Sequence, residues 1–354
     1  MFNIVDYNEI MNEENVVFVD VRSPKEFEES TIKGAINIPV LLDEEREEVG
    51  TLYVRSSVEE ARTRGIELIS KRLPEIFEKF QELYSVQRKK VVIFCARGGM
   101  RSSSIHSLLY SLGLKVYKLK GGYKAYRKYI NENFEEMLSE MKFIVLYGKT
   151  GVGKTEYLKT LKERGYDILD LEGAANHRGS LLGSVSIGKI HTQKAFETEV
   201  FHALLERKGN IVFTEGESKR IGRIIIPDFI WENMMKSEKI WIEDSIENRC
   251  DLLINEYIQN EESINELLEA MDKIKKYLSN KKVEDYKTMI KEGNFKEACE
   301  NLMLNYYDPM YLNGFKKKKF AKWIDNEDRE KTLQELIHFY DEMSKNNKEI
   351  EDME

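Results

Sequence analysis

No apolar run in the 354 residues approaches the roughly 20 needed to cross a bilayer, and the opening MFNIVDYNEI has neither the basic start nor the apolar middle of a signal peptide. The expectation from these absences is a soluble protein of the cytoplasm with no membrane partner. Cysteine is scarce as well. Cys95, Cys250 and Cys299 are odd in number and widely spaced, which excludes a disulfide framework and a paired zinc site. An excess of positive charge is also missing, because 55 Lys+Arg are outnumbered by 63 Asp+Glu. A chain of net charge -8 does not hold nucleic acid through overall basicity; any such contact must be local. Two local basic stretches occur, Lys115 to Lys128 (KVYKLKGGYKAYRK) and Lys316 to Trp323 (KKKKFAKW), and read alone each is a solvated face.

What is present suits two domains, since 41% hydrophobic and 33% charged residues over this length can give each a core. Strand-like runs VVFVDV, KVVIFCA and KVYKL alternate with amphipathic stretches such as IELISKRLPEIFEKFQELY, the pattern of a parallel sheet flanked by helices. This first α/β domain is expected over 1–130, followed by a linker helix over 131–141, where the chain is polar and free of Gly and Pro. A second α/β domain is expected over 142–348, with strands KFIVLYG, YDILDL, NIVFTEG and EKIWIED, then charged amphipathic helix from Ser245 onward. An acidic tail, 349–354, ends the chain. No internal repeat is found.

The first chemical signal is FCARGGMRS. Strand KVVIF delivers Cys95 to the carboxyl edge of the sheet, where open α/β sheets place their ligands. Gly98 and Gly99 allow a tight turn with inward N–H groups, and a helix start follows, so a thiolate at Cys95 is expected to be stabilised there and further by Arg97 and Arg101. Burial as a small hydrophobe is the plain reading of a lone cysteine, but it leaves the adjoining glycines and arginines without a reason. A cysteine phosphatase is a rival reading, because cysteine, five residues, arginine also makes a phosphate loop.

The second signal, GKTGVGKT at 148–155, matches G-x-x-x-x-G-K-[ST] between a strand and a helix. Gly148, Gly151 and Gly153 let backbone N–H groups curl round phosphate oxygens, Lys154 adds a point charge, and Thr155 can ligate Mg2+. Glu215 and Glu217, at the end of NIVFTEG, are positioned to orient metal or water. DLEGAANHRGS gathers Asp170, Glu172, His177, Arg178 and Ser180 in one loop, at a spacing that fits no common metal-ligand set. Cys250 and Cys299 lie in no electropositive glycine loop and are read as structural.

The series DVRSPKEFEESTIKGAINIP (Asp20 to Pro39), FCARGGMRS and LKGGYKAYR resembles a rhodanese domain, whose loop cysteine carries sulfur or selenium as a persulfide or perselenide. Cell-cycle phosphatases share that fold, so fold alone does not choose between the two. With GKTGVGKT, DLEGAANHRGS, ESKRIG and IIIPD following in order, the chain from Asp20 to at least Asp228 resembles the tRNA 2-selenouridine synthase family. Many members carry tryptophan where Ala96 stands, so space is left beside Cys95. The resemblance implies a rhodanese-like parallel-sheet domain followed by a P-loop NTPase-like α/β domain with a helical C-terminal region. It implies replacement of the sulfur of wobble 2-thiouridine by selenium, with selenophosphate and geranyl diphosphate as substrates and an S-geranyl-2-thiouridine intermediate. Its partners are then the anticodon loop of tRNA and a synthetase that supplies selenophosphate. Cys95, Arg97 and Arg101 become the catalytic residues. Asp170, Glu172, His177, Arg178, Ser180, Glu215, Glu217 and Ser218 become positioning residues for diphosphate or base. Two alternatives stay open at this stage: a nucleotide-dependent tRNA sulfurtransferase, and a non-catalytic module that senses nucleotide.

Overall fold

A computed structural model describes residues 3–315 and 318–351 and divides into two compact units, Met1–Glu136 and Met137–Glu354. The first unit is built on five parallel strands, β1 (Ile4–Val5), β2 (Val16–Asp20), β3 (Ile36–Asn37), β4 (Lys90–Phe94) and β5 (Tyr117–Leu119), in the order β1-β5-β4-β2-β3. The run Val91–Phe94 is buried throughout, as a central parallel strand covered on both faces requires. Val19, Phe80, Ile93, Ile105 and Val116 join the core that packs against it. The long stretch after Ile66 becomes two helices, Val58–Ser70 and Leu73–Gln81, because Pro74 suits the first turn of a new helix and not the interior of an old one.

The helix Gly122–Leu138 passes through residues 131–138 without a break, so the expected linker is the second half of a longer helix. No Gly or Pro interrupts it after Gly122.

The second unit holds another five-stranded parallel sheet. Its strands are β6 (Lys142–Gly148), β7 (Ile168–Leu169), β8 (Ile211–Glu215), β11 (Glu238–Glu243) and β12 (Lys322–Asp325), ordered β12-β11-β6-β8-β7. A short antiparallel ribbon, β9 (Arg220–Ile221) with β10 (Ile224–Ile225), stands apart from it. Between β11 and β12 the helices Ile246–Tyr257, Glu261–Ala270, Asn280–Lys291 and Phe295–Leu302 pack round their own core of Leu267, Met271, Val283, Ile290 and Met303.

The mostly helical stretch expected after Ser245 is helical apart from strand β12. It begins at the end of the basic stretch, pairs with β11 from Lys322 to Asp325, and leaves Trp323 63% exposed. An edge strand needs an inward apolar residue only at alternate positions, here Ile324, so its pattern is faint in sequence. Lys316 and Lys317 of that stretch, and residues 352–354 of the acidic tail, lie outside the described residues. The last helix spans Arg329–Glu351. Among the described residues no helix is long and apolar enough to cross a membrane.

Candidate functional site

In the first unit, Asp20 ends β2 opposite Phe94 of β4, and the chain passes directly into Cys95 at the carboxyl edge of the sheet. Cys95 is 3% exposed; its Sγ lies 3.2 Å from Ser102 Oγ and 4.0 Å from the Gly99 carbonyl oxygen. The loop is fixed from behind by the turn Gly121–Gly122. Tyr123 N–H donates to the Cys95 carbonyl and Lys124 N–H to that of Ala96, both at 2.9 Å. Gly122 has φ +59°, and a methyl group there would run into the Cys95 carbonyl and the Gly98 nitrogen. That close approach is why LKGGYK needs its second glycine. The helix Met100–Ser111 starts at the other end of the loop.

The two arginines of the loop part company. Arg101 is half-buried and gives Glu26 a two-pronged ion pair, at 2.5 and 3.1 Å. Burial alone would raise the Glu26 pKa, but Arg101 outweighs it and holds the carboxyl below its ordinary value. Arg97 is exposed and makes no ion pair among the described residues, so it is the loop cation open to an incoming anion.

Of the tyrosines interleaved in the Lys115–Lys128 stretch, Tyr123 and Tyr126 are buried in the core, and Tyr117 is partly buried beneath the Lys90 ammonium. Lys118 is spent on the Gly98 carbonyl and Ser103, and Lys120 on Asp6. Lys115 and Lys124 remain exposed. In the other basic stretch, burial and the neighbouring Lys239 bring the Lys318 pKa down to about 8, and its ammonium donates to Tyr147 Oη at 2.7 Å.

In the second unit, three adjacent parallel strands bring separate sequence signals to one edge. β6 leads into GKTGVGKT, β8 ends on Glu215, and β7 leads into Asp170. The loop opens on a cavity of about 1730 Å3, mouth included, lined by Gly151, Gly153, Lys154, Thr155, Glu172 and Arg178, among others. Gly151 and Gly153 have φ +85° and +82°, and the helix Lys154–Glu163 begins at once, its free N–H groups and dipole suited to an anion in the loop. Lys154 Nζ touches the Gly148 carbonyl at 3.4 Å and makes no ion pair among the described residues. By contrast Lys149 is paired with Glu243, Arg178 with Glu256 and Arg329 with Glu156.

Behind the loop lie the acids. Thr155 Oγ1 donates to Glu172 at 3.3 Å, Glu172 N–H donates to Glu215 Oε1 at 2.7 Å, and the carboxyls of Glu172 and Glu217 share a hydrogen bond. Glu215 is 0% exposed and its second oxygen has no hydrogen-bond partner among the described residues. Burial first, then neighbouring carboxylates, holds Glu172 and Glu215 well above the ordinary carboxyl range. Burial raises Glu217 also, against the pull of Lys154. Gly179, at φ +60°, sits where any side chain would strike Glu172 and Glu217.

No three His, Cys, Asp or Glu side chains converge as a metal site among the described residues. The hard oxygens of Thr155 and Glu172 nevertheless fit Mg2+, which commonly takes one or two protein ligands and completes its shell with phosphate and water.

The remaining members of DLEGAANHRGS are held by contacts of their own, and Arg178 and Ser180 also line the cavity. Asp170 caps the helix Leu171–Ala175, and His177 is buried against Gly183 and Gly222, its Nδ1 without a partner among the described residues. Arg178 stacks on Tyr257, and Ser180 Oγ lies 3.4 Å from Tyr257 Oη. Ser218 is not brought to the cavity; it bonds the Arg220 carbonyl in an exposed turn.

Three residues without a motif complete the site. Arg249, with a side chain 2% exposed, donates to the Thr150 carbonyl at 2.9 Å while paired with Asp308 at 2.5 Å. Asn326 donates to the Val152 carbonyl and to Asp244, and accepts from Tyr157. No motif in the sequence marks Arg249, which stands in the charged helix Ile246–Tyr257.

A family model described as the tRNA 2-selenouridine synthase AAA domain matches residues 141–344, and one for the rhodanese-like domain matches residues 4–129. The tRNA 2-selenouridine synthase of Hydrogenovibrio crunogenus is 31% identical over 341 residues, 86% of this chain and 91% of its own. That of Pseudomonas fluorescens is 30% identical over 334 residues, 86% and 90%. A solved N-terminal domain from Clostridium difficile 630 is 43% identical and covers 36% of this chain and 98% of that one, with a TM-score of 0.35.

Proposed function

The chain belongs to the tRNA 2-selenouridine synthase family, and from that premise we propose that it converts wobble 2-thiouridine of tRNA to 2-selenouridine by way of an S-geranyl intermediate. The observation that carries this reading is Lys154: an ammonium with no ion pair among the described residues, in a glycine loop at a helix start, lining an open cavity. Such a site holds the leaving group of a diphosphate ester.

In the first step the thiouridine sulfur attacks carbon 1 of geranyl diphosphate. A carbon–sulfur bond forms, the carbon–oxygen bond breaks, pyrophosphate leaves with the electron pair, and the base gives up its N3 proton. Lys154 and the loop N–H groups meet the charge that grows on pyrophosphate. Mg2+, held by Thr155 and Glu172, would supply further charge neutralisation there. The second step places selenium at carbon 2. The selenium–phosphorus bond of selenophosphate is cleaved with water supplying the oxygen of the phosphate left behind. Selenium then attacks carbon 2, and geranyl thiolate departs and takes a proton. Alkylation makes this possible, since a thioether carbon releases a thiolate more readily than a thiocarbonyl releases sulfide. Cys95 guides the selenium, and Arg97 receives the anionic donor.

The test is mass spectrometry of nucleosides from thiolated tRNA incubated with geranyl diphosphate and selenophosphate, each omitted in turn. With geranyl diphosphate alone the S-geranyl nucleoside should accumulate. Lys154→Ala should abolish that product yet still selenate pre-geranylated RNA, and Cys95→Ser should do the reverse. Loss of both steps in both variants would overturn the division of labour.

A further inference from the structure

Beside the phosphate cavity lies a second, smaller pocket of different character. Thr150, Ser180, Leu253 and Tyr257 line both, so the two meet along one shared wall. Beyond that wall the lining turns apolar. Ile290, Phe295, Ala298 and Leu302, from the helices Asn280–Lys291 and Phe295–Leu302, border the second pocket and not the first.

An anion site that adjoins an apolar pocket across one wall is matched by a ligand of the same two parts. A nucleotide is a poor fit, because a purine or pyrimidine placed among Ile290, Phe295 and Leu302 would bury ring nitrogens without hydrogen-bond partners. A hydrocarbon chain leaves no polar atom unsatisfied, and each added methylene strengthens its binding.

We propose that this pocket seats the hydrocarbon tail of an allylic diphosphate and that Ala298 and Leu302 gauge the length of chain it admits. The inference rests on the reading of the phosphate loop as a diphosphate site and adds to it where the ester lies. Ala298 is the smallest side chain on the far wall and Leu302 a large one on the same helix, four residues on. Their sizes limit the depth available.

The test is equilibrium binding to the full chain, with Mg2+ present, of inorganic pyrophosphate and of dimethylallyl, geranyl and farnesyl diphosphates. The wild-type chain should bind geranyl diphosphate at least about 100-fold more tightly than pyrophosphate, given the apolar area a ten-carbon tail buries. Ala298→Ile should weaken geranyl diphosphate about tenfold or more while leaving pyrophosphate and dimethylallyl diphosphate unchanged. Leu302→Ala should shift the preference toward farnesyl diphosphate. Unchanged pyrophosphate binding also shows that each variant is folded. If geranyl diphosphate binds no better than pyrophosphate, or if Ala298→Ile weakens all four equally, the tail site is wrong although the phosphate reading stands. If the wild-type chain binds neither pyrophosphate nor geranyl diphosphate, both fail.

Discussion

Arg249 joins two otherwise separate features, holding the Thr150 carbonyl of the phosphate loop with one nitrogen and the Asp308 carboxylate with two others. Arg249→Met should leave a carboxylate buried without its partner and cost about 3–5 kcal/mol of stability, read from urea unfolding. Arg249→Met combined with Asp308→Leu should recover most of that loss, because both charges then leave the interior. Pyrophosphate affinity should stay low in the double variant, since nothing holds the Thr150 carbonyl. At this scale the glycine-loop residues were legible because close approach of backbone to phosphate forces a specific spelling. Arg249 was not: an arginine in a charged helix is spelled the same way whether it faces water or a buried carboxylate. The split between Arg97 and Arg101 was equally hidden, as it depends on Glu26 arriving from 75 residues away.

Elements carry the loops, and the turn Gly121–Gly122 shows how narrow the tolerance is. Both glycines are left-handed, and the second touches the backbone on which Cys95 sits. Gly122→Ala should therefore displace the cysteine loop. Selenation of pre-geranylated tRNA should fall by an order of magnitude or more, while geranyl transfer, which the proposal assigns to other residues, should be kept. The nucleoside assay separates the two, and equal loss of both would count against the assignment. The long strands β2, β4, β6, β8 and β11 were visible as apolar runs. The two-residue strands β1 and β3 were not, since hydrogen bonds to a neighbour define them more than composition does. β12 was masked by lysines that suit an edge.

For the molecule as a whole, each unit has a core drawn from its own residues, the first from Val19 to Val116 and the second in two clusters of its own. Two cores allow two unfolding events. Calorimetry should resolve more than one transition, and pyrophosphate with Mg2+ should raise only the transition that Lys154→Ala leaves insensitive to ligand. A single transition shifted as a block would show that the units unfold as one. The order of these two units was legible from motif order alone.

The chain's sequence order also bears on how it is made. The glycine loop at 148–155 is held by Arg249, Asp308 and Asn326, the last of them 171 residues after Thr155. A ribosome adding about 5–20 residues per second exposes the loop on the order of ten seconds before its last tether exists. During that interval the first unit can already fold behind it, yet the phosphate site has nothing to hold its shape. The nascent chain thus has its cysteine loop complete early, while its glycine loop stays without full support until the residues up to Asn326 have been added.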